Sequence, residues 1–376
     1  MYITGIGRTK FGILKETLQE MAYTAIFSAL EDADMDLEEI NAIYIGNFCA
    51  GPTQSQLHIN ALIADILPGL QIPIIRVETA CASGGSAFYN ALISLSRFNN
   101  ILVLGLEKLS IDTLKAATAI AMAGDRFIDQ MAGLIFPASY ALIAQQHMLK
   151  YKTNLDDLGL VSLKNHQNAN LNEYAHFYNS DIDIHKIMES AIICSPLKLL
   201  DCSPLSDGAC AVILSKYKRR DRDIKVIASS LATGNLAFTN TKDITTFPAV
   251  IKAAIDVFQQ ANLTPKDIDI FMVHDCFTIA ELVAMEDLGL CKPGESIHFV
   301  RDGRTKLDGD IPINTDGGLK ADGHPIGASG LAQIYEVVVQ LRAEAGKRQV
   351  KNATSGLTHN VGGVGGTAAI HIFRRE

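Results

Sequence analysis

The chain has 376 residues, of which 48% are hydrophobic and 20% charged, a composition that excludes extensive disorder and suffices for two or three domains. Its 33 Lys and Arg against 41 Asp and Glu leave a net charge of −8, which excludes a general nucleic-acid binder or a surface held to anionic lipid. Gly and Pro are scattered and no heptad is sustained, so collagen-like and coiled-coil chains are excluded too.

The chain opens on Met1-Tyr2-Ile3-Thr4-Gly5, without the basic-then-apolar order of a secretory leader. Leu18 to Ala33 spaces its apolar residues as a helix does. Ala42-Ile-Tyr-Ile-Gly46, Ile74-Ile-Arg-Val77 and Ile101-Leu-Val-Leu-Gly-Leu106 read as buried strands, with a helix predicted over Gly85 to Phe98. This alternation implies α/β layers around a sheet. The longest nearly apolar run, Ala132 to Ala144, contains Pro137 and Ser139 and falls far short of the ~20 residues that cross a bilayer. A cytoplasmic protein with reduced thiols is expected, since the seven cysteines are an odd count with no Cys-x-x-Cys pair, giving neither a disulfide framework nor a metal site.

A weak internal repeat organises the chain. Cys81-Ala-Ser-Gly-Gly-Ser-Ala leads into one helix and His324-Pro-Ile-Gly-Ala-Ser-Gly into another. Each half closes on a small-residue turn and an apolar strand, Asp207 to Leu214 and Gly365 to Ile372. Far more chain separates Cys81 from Gly208 than separates His324 from Gly366. The surplus is an insertion that residues from about Ser110 to Ser203 supply, helical at first and His/Asn-rich from Asn165 to Asn179. Such an excursion suits a lid or binding region.

Four motifs carry chemistry. In Val77-Glu-Thr-Ala-Cys81-Ala-Ser-Gly-Gly-Ser86 a cysteine stands between a strand and a helix N-terminus, whose free N–H groups lower a thiol pKa from ~8.5. A small buried cysteine at a tight turn has the same pattern. Phe271-Met-Val-His274-Asp275-Cys276-Phe277 ends an apolar run in three titratable groups, where α/β enzymes place active sites; a turn with a capping Asp is the alternative. Gly317 to Gly330 sets His324 before a helix that Pro325 begins. Its Lys is misplaced for a phosphate loop, and a solvated surface loop also fits. His359-Asn360-Val-Gly362-Gly-Val-Gly-Gly366 suits either a hairpin or a backbone N–H aimed at an oxyanion.

Taken in order, Cys81, His274-Asp-Cys276-Phe, Gly323-His324-Pro and the flanking Tyr2 to Phe11 and Ser206-Asp-Gly-Ala209 resemble the thiolase superfamily over essentially the whole length. The resemblance is to thiolases of the archaeal and sterol-carrier-protein type, with His-Asp-Cys-Phe where most members have Asn-Glu-Ala-Phe. It implies the thiolase fold: two pseudo-symmetric α/β/α/β/α layered halves of five strands each, with an inserted loop domain. The implied division is 1–109 and 204–220 for the first half, 110–203 for the inserted CoA-binding domain, and 221–376 for the second half.

By the same resemblance, Cys81 is the nucleophile that takes an acyl group from a coenzyme A thioester, and His324 is its base. Cys276 is the acid/base for C–C bond formation or cleavage, replacing the cysteine that other thiolases carry where this chain has Asn360. His324 and a water or imidazole positioned by His274 are the implied donors to the enolate oxygen. The backbone N–H groups of Cys81 and Gly362 hold the tetrahedral intermediate, and Asp275 holds the loop. Lys164, His166 and Asn168 are suggested CoA contacts, with a solvated face as the alternative. No cofactor or metal is implied beyond coenzyme A thioesters as substrates. A homodimer or homotetramer is implied, and archaeal-type relatives can join a zinc-ribbon/OB-fold partner and a synthase. The rival readings are a ketoacyl or hydroxymethylglutaryl-CoA synthase on the same fold, a non-catalytic thiolase-like subunit, and a cysteine hydrolase.

Overall fold

The computed structural model describes residues 1–110 and 112–376. Thr17 opens the first long helix: its side chain accepts from the Glu20 N–H while Glu20 reaches back to the Thr17 N–H, a reciprocal cap that fixes where α1 (Leu18–Ala33) begins. Its buried stripe of Leu18, Met21, Ala22, Ala25, Ile26, Ala29 and Leu30 follows the helical period and packs on β1 (Tyr2–Arg8). Then come β2 (Ala42–Gly46), the short α2 (Ala50–Gln54) and α3 (Ile59–Ala64), β3 (Ile74–Val77), α4 (Ser83–Ser94) and β4 (Asn100–Glu107). The stretch before β7 (Gly208–Ser215) carries α5 (Thr113–Ala121), a π-helical turn at Arg126–Gln130, α6 (Phe136–Tyr151), α7 (Leu155–Ala169), α8 (Ile184–Glu189) and the small hairpin β5 (Ile192–Cys194)–β6 (Leu197–Lys198). The second half runs β8 (Ile224–Thr233), α9 (Pro248–Ala261), β9 (Ile270–Met272), α10 (Thr278–Asp287), α11 (Ser296–Arg301), α12 (Gly318–Ala321), α13 (Ile326–Leu341), β10 (Ser355–Gly362) and β11 (Thr367–Arg374).

The large sheet has the order β3-β2-β4-β7-β1-β8-β11-β10-β9. On one side β2 is parallel to β3 and β4, and β7 is antiparallel to β4 and β1. On the other, β10 is parallel to β9, and β11 is antiparallel to β10 and β8. The second set therefore repeats the first, and the two meet edge to edge through only Tyr2↔Lys225 and Ile3↔Ile224. One strand is missing from the repeat. The counterpart of β3 is reduced to a single parallel bridge, Phe271↔Ile313, because Pro312 has no N–H to extend a ladder.

The layers follow from which faces are apolar. Along β4, Ile101 and Val103 point into a core with α4 and α13, while Leu102 and Leu104 point into a core with α1. Burial on both faces explains why the strand reads as a continuous apolar run. On the second half-sheet Ile370 and Ile372 pack with Val250 and Val257 of α9. The order is thus α1, half-sheet, α4 with α13, half-sheet, α9. In α13 every residue except Tyr335 is buried. α4 and α13 cross at backbone contact: a Cβ on Gly84 would lie 2.8 Å from the Gly327 carbonyl oxygen. That close crossing brings the N-termini of both central helices to one place.

Candidate active site

Cys81 and His324 each stand two residues ahead of a central helix, α4 and α13 respectively. The parallel register Thr358↔Met272 continues past the strand ends, so His274 and Asn360 come side by side. The chain thus delivers Cys81, His274 and His324 to one point: the Cys81 sulfur and one nitrogen of each imidazole all lie within 4.8 Å of one another. The two imidazoles meet edge to face, with centroids 5.3 Å apart and planes at 84°.

The Cys81 loop is strained and braced. Ala80 has φ of +51°, a left-handed conformation that costs a non-glycine residue about 1–3 kcal/mol. The Glu78 carboxylate accepts from the Ala80 N–H at 2.6 Å, and the Ser83 hydroxyl donates to the Ala80 carbonyl at 2.6 Å. This turn presents the sulfur to the N–H groups of Gly363 and of Cys81 itself. Gly363 has φ of +63°, a conformation that favours glycine. Gly362 was the expected donor beside Cys81. The N–H that faces the resting sulfur is that of the next residue, Gly363, while Gly362 ends β10 so close to the Thr79 carbonyl that a Cβ there would collide with its oxygen.

The hydrogen bonds assign tautomers. The Ser329 hydroxyl donates to the Pro325 carbonyl at 3.0 Å, so at 2.7 Å its oxygen accepts the Nδ1–H of His324. The His324 Nε2 is then left as a lone-pair acceptor. Asn360 is a hub: its Oδ1 accepts from the Gly85 N–H, and its Nδ2 donates to the Cys81 carbonyl at 3.0 Å and to His274 Nδ1 at 3.3 Å. His274 therefore carries its proton on Nε2, a buried donor with no partner among the described residues. A buried, unpartnered N–H costs stability unless something binds it.

Burial sets the protonation states. It pushes Cys81 up to about 12 despite the N–H groups of Gly363 and Cys81, so the sequence expectation of a helix-lowered thiol yields to desolvation. Burial takes His324 down to about 3 and His274 well below its ordinary value. The resting site is a neutral thiol facing neutral imidazoles. The sulfur loses its proton only when a neighbour takes it.

Cys276 lies behind this cluster on the loop from β9 to α10. Its carbonyl accepts from the Ser203 N–H. Burial raises its thiol well above the ordinary range. Asp275 turns away: it accepts from Leu319 N–H at 2.7 Å and Asn165 Nδ2 at 2.7 Å, so it seats α12 and moves no proton in the site.

Lys164, His166 and Asn168 do not face a ligand. All three are buried on the inner face of α7. Lys164 pairs with Glu281 at 2.7 Å and donates to the Ile313 carbonyl, Asn168 donates to the Asn314 carbonyl, and His166 meets the Lys320 amine at 3.3 Å. This polar seam ties α7 to residues 313–320, which lead to His324. The His/Asn-rich composition that suggested a solvated binding face belongs to an interior network.

Sequence reading missed three contributors: Ser329, Gly363 and Tyr140 of α6, whose hydroxyl donates to the Gly363 carbonyl at 3.1 Å. Ser329 and Gly363 lie inside motifs already singled out, and their spacing from His324 and Asn360 was the available signal. Tyr140 lies in the insertion, far from any motif. Cys81 retains 9% exposure, and a cavity of about 300 Å³ lies beside its loop, lined by Thr79, Ala80, Met122, Leu236, Gly362 and Gly363 but not by Cys81 itself. A larger cavity of about 730 Å³ between α9 and α10 carries none of these residues. The Cys81–His274–His324 donor set also suits a zinc ion, which would sequester the sulfur.

Comparison with known proteins agrees over the whole chain. The thiolase N-terminal domain matches residues 1–218 and the thiolase C-terminal domain-like family matches residues 230–375. The acetyl-CoA acetyltransferase of Methanothermobacter thermautotrophicus is 45% identical, with 99% of each chain covered. The benzoylsuccinyl-CoA thiolase subunit BbsB of Thauera aromatica is 32% identical over 96% of this chain and 94% of its own. Among solved structures, the Ltp2–ChsH2(DUF35) aldolase superposes with a TM-score of 0.84 at 22% identity, covering 100% of this chain and 97% of that one, a likeness of fold.

Proposed function

The chain belongs to the thiolase family, and from that premise we propose that it is an acetyl-CoA C-acyltransferase working through an acyl-Cys81 intermediate. As a thiolase it is an acyltransferase that joins or cleaves a carbon–carbon bond beside a thioester. Acetyl-CoA is the proposed donor because two relatives, from Methanothermobacter and Methanocaldococcus, are acetyl-CoA acetyltransferases at 45% and 39% identity. Coenzyme A thioesters are its only proposed small-molecule requirement, with no resident cofactor or metal.

The unprotonated Nε2 of His324 takes the Cys81 proton as the sulfur attacks the thioester carbonyl. The N–H groups of Cys81 and Gly363 receive the developing oxyanion, and His324 returns the proton to the departing CoA thiolate. The Cys276 thiol then passes its proton to the freed His324 Nε2, which returns it at the end of the cycle, and the resulting thiolate takes the α-proton of a second acyl-CoA, whose C–H electron pair enters the enolate. The His274 Nε2–H holds the enolate oxygen. The enolate carbon attacks the acyl group, Cys81 leaves as a thiolate, and the proton on Cys276 returns to it. The N–H of His274, buried and unpaired among the described residues beside the Cys81 thiol and the His324 imidazole, is the observation that carries this reading.

For assembly we propose a homo-oligomer joined at the edge strand β3, whose outer side has no ladder partner and whose Ile75 is exposed. A zinc-ribbon/OB-type second subunit is supported by the DUF35 component named in the Ltp2–ChsH2 assembly and by the exposed Leu114, Phe127 and Met131 of the insertion. A synthase alongside them is part of the same proposal. Among the described residues no helix is long and apolar enough to cross a membrane, in keeping with a cytoplasmic location. The proposed division remains 1–109, 110–203, 204–220 and 221–376. The test is acetoacetyl-CoA thiolysis by the purified chain and its Cys276→Ala variant, with acylation by acetyl-CoA measured separately: the variant should take an acetyl group from acetyl-CoA onto Cys81 but fail to cleave acetoacetyl-CoA, and equal turnover in both would place the base elsewhere.

A further inference from the structure

Tyr140 has no part in the steps above, yet the fold puts a fully buried phenol at their centre. It is 1% exposed, and its ring stacks on Phe277, the neighbour of Cys276, at 4.6 Å and 26°, with Phe247 at its edge. Two aromatic walls fix the ring. Its hydroxyl donates to the Gly363 carbonyl at 3.1 Å, and the stacking on Phe277 sets the phenol beside the adjoining Cys276, with which it interacts electrostatically. Gly363 in turn aims its N–H at Cys81. One hydroxyl therefore bridges the second thiol and the glycine that faces the first.

We propose that Tyr140 is a positioning residue for Cys276: its O–H turns from the Gly363 carbonyl to the Cys276 sulfur when that sulfur becomes a thiolate, and turns back when it is protonated. The inference rests on the reading of Cys276 as the acid/base. The thiol provides the reason. Cys276 sits in an apolar shell where an unassisted thiolate is strongly disfavoured, and the phenol is a neutral side-chain donor beside it. Burial holds the Tyr140 hydroxyl well above its ordinary pKa, so it keeps its own proton throughout. During condensation the α-C–H bond breaks, the proton forms S–H on Cys276, and the electron pair passes to the enolate. The phenol O–H bond stays intact and only changes acceptor. The insertion, through α6, thereby sets the basicity of a group on the β9–α10 loop.

Tyr140→Phe tests this. A hydrogen bond to a charged group corresponds to about a 10- to 100-fold effect. Expected are a C–C step slowed by about that factor at pH 8, an alkaline limb of the thiolysis profile moved up by about one pH unit or more, and Cys81 acylation within about threefold of the parent. Alkylation of Cys276 by iodoacetamide, followed by peptide mass spectrometry, should move to higher pH by the same amount. If Tyr140→Phe fails to fold, 3-fluorotyrosine at position 140 in the full chain supplies the second arm. Its more acidic phenol should move both limbs downward. Unmoved limbs would overturn the proposal. Cys276→Ala separates the two ideas: an inactive Cys276→Ala beside an unshifted Tyr140→Phe profile rejects only the tyrosine, whereas an active Cys276→Ala rejects the role of Cys276 itself.

Discussion

His274→Phe should raise or preserve stability while removing carbon–carbon chemistry. The ring fits the same edge-to-face packing against His324, at 5.3 Å and 84° in the parent. What disappears is an Nε2–H that has no partner among the described residues and an Nδ1 that accepts one long bond, 3.3 Å, from Asn360. Asn360 keeps its bonds to the Cys81 carbonyl and the Gly85 N–H, so the one amide hydrogen that is stranded offsets the unpaired imidazole N–H that is removed. Leaving a polar group buried and unsatisfied costs about 1–3 kcal/mol, so its removal should leave unfolding free energy level or raised by about 1 kcal/mol. The same N–H, bound to an enolate oxygen, is worth about 10²–10³ in rate, or about 2.7–4 kcal/mol of barrier. Urea unfolding gives the first quantity. Quenched-flow release of CoA, which reports Cys81 acylation, and steady-state thiolysis separate the second. The expected pattern is intact acylation, thiolysis down at least a hundredfold and no loss of stability. A variant that unfolds easily, or one with parental thiolysis, would show that His274 is a packing residue.

Lys164→Met leaves Glu281 buried without its cation, and breaking such a pair costs about 3–5 kcal/mol. Its melting temperature should fall sharply while the KM for CoA thioesters in the folded fraction stays at the parental value; a raised KM with unchanged stability would restore Lys164 as a ligand contact. Acylation of Cys81 should be level from pH 5.5 to 9 with no limb near 6.5, because burial holds His324 down to about 3 and pushes the Cys81 thiol up to about 12. The reactive pair, a neutral thiol beside a neutral imidazole, would fall away only below the first value and above the second. Stopped-flow acylation from pH 5.5 to 9 measures it, and a bell with a midpoint at 6.5 would contradict the assignment. Ser329→Ala frees the His324 tautomer and should slow acylation about tenfold at a stability cost of about 0.5–1.5 kcal/mol. Unchanged acylation would remove Ser329 from the site.

The layered fold was legible because β2, β3 and β4 are apolar runs bounded by turn residues, and because the helix entries at Cys81 and His324 share a small-residue pattern. The missing strand at Ile313 was not, since a proline's lost N–H shows its effect only once a neighbouring strand is in place. Cys81, His274, Cys276 and His324 could be picked out because titratable groups at strand and helix ends form short motifs. Their environment could not. The motif implied a thiol lowered by a helix N-terminus, whereas burial by distant segments raises it. Lys164, His166 and Asn168 mislead for the same reason: a polar helix face looks solvated until its partners, Glu281, Asn314 and Lys320, arrive from more than a hundred residues away. Tyr140 is an ordinary aromatic in sequence and acquires meaning only from where α6 docks.

The central claim is that Cys81 carries the acyl group. The direct measurement is to mix the protein with acetyl-CoA, quench in acid, digest, and weigh the peptide spanning Val77 to Ser86. An acetyl group on Cys81, absent in Cys81→Ser and discharged by added CoA, is the predicted result. An unmodified Cys81 under turnover, or an acetyl group carried on Cys276 instead, would contradict it.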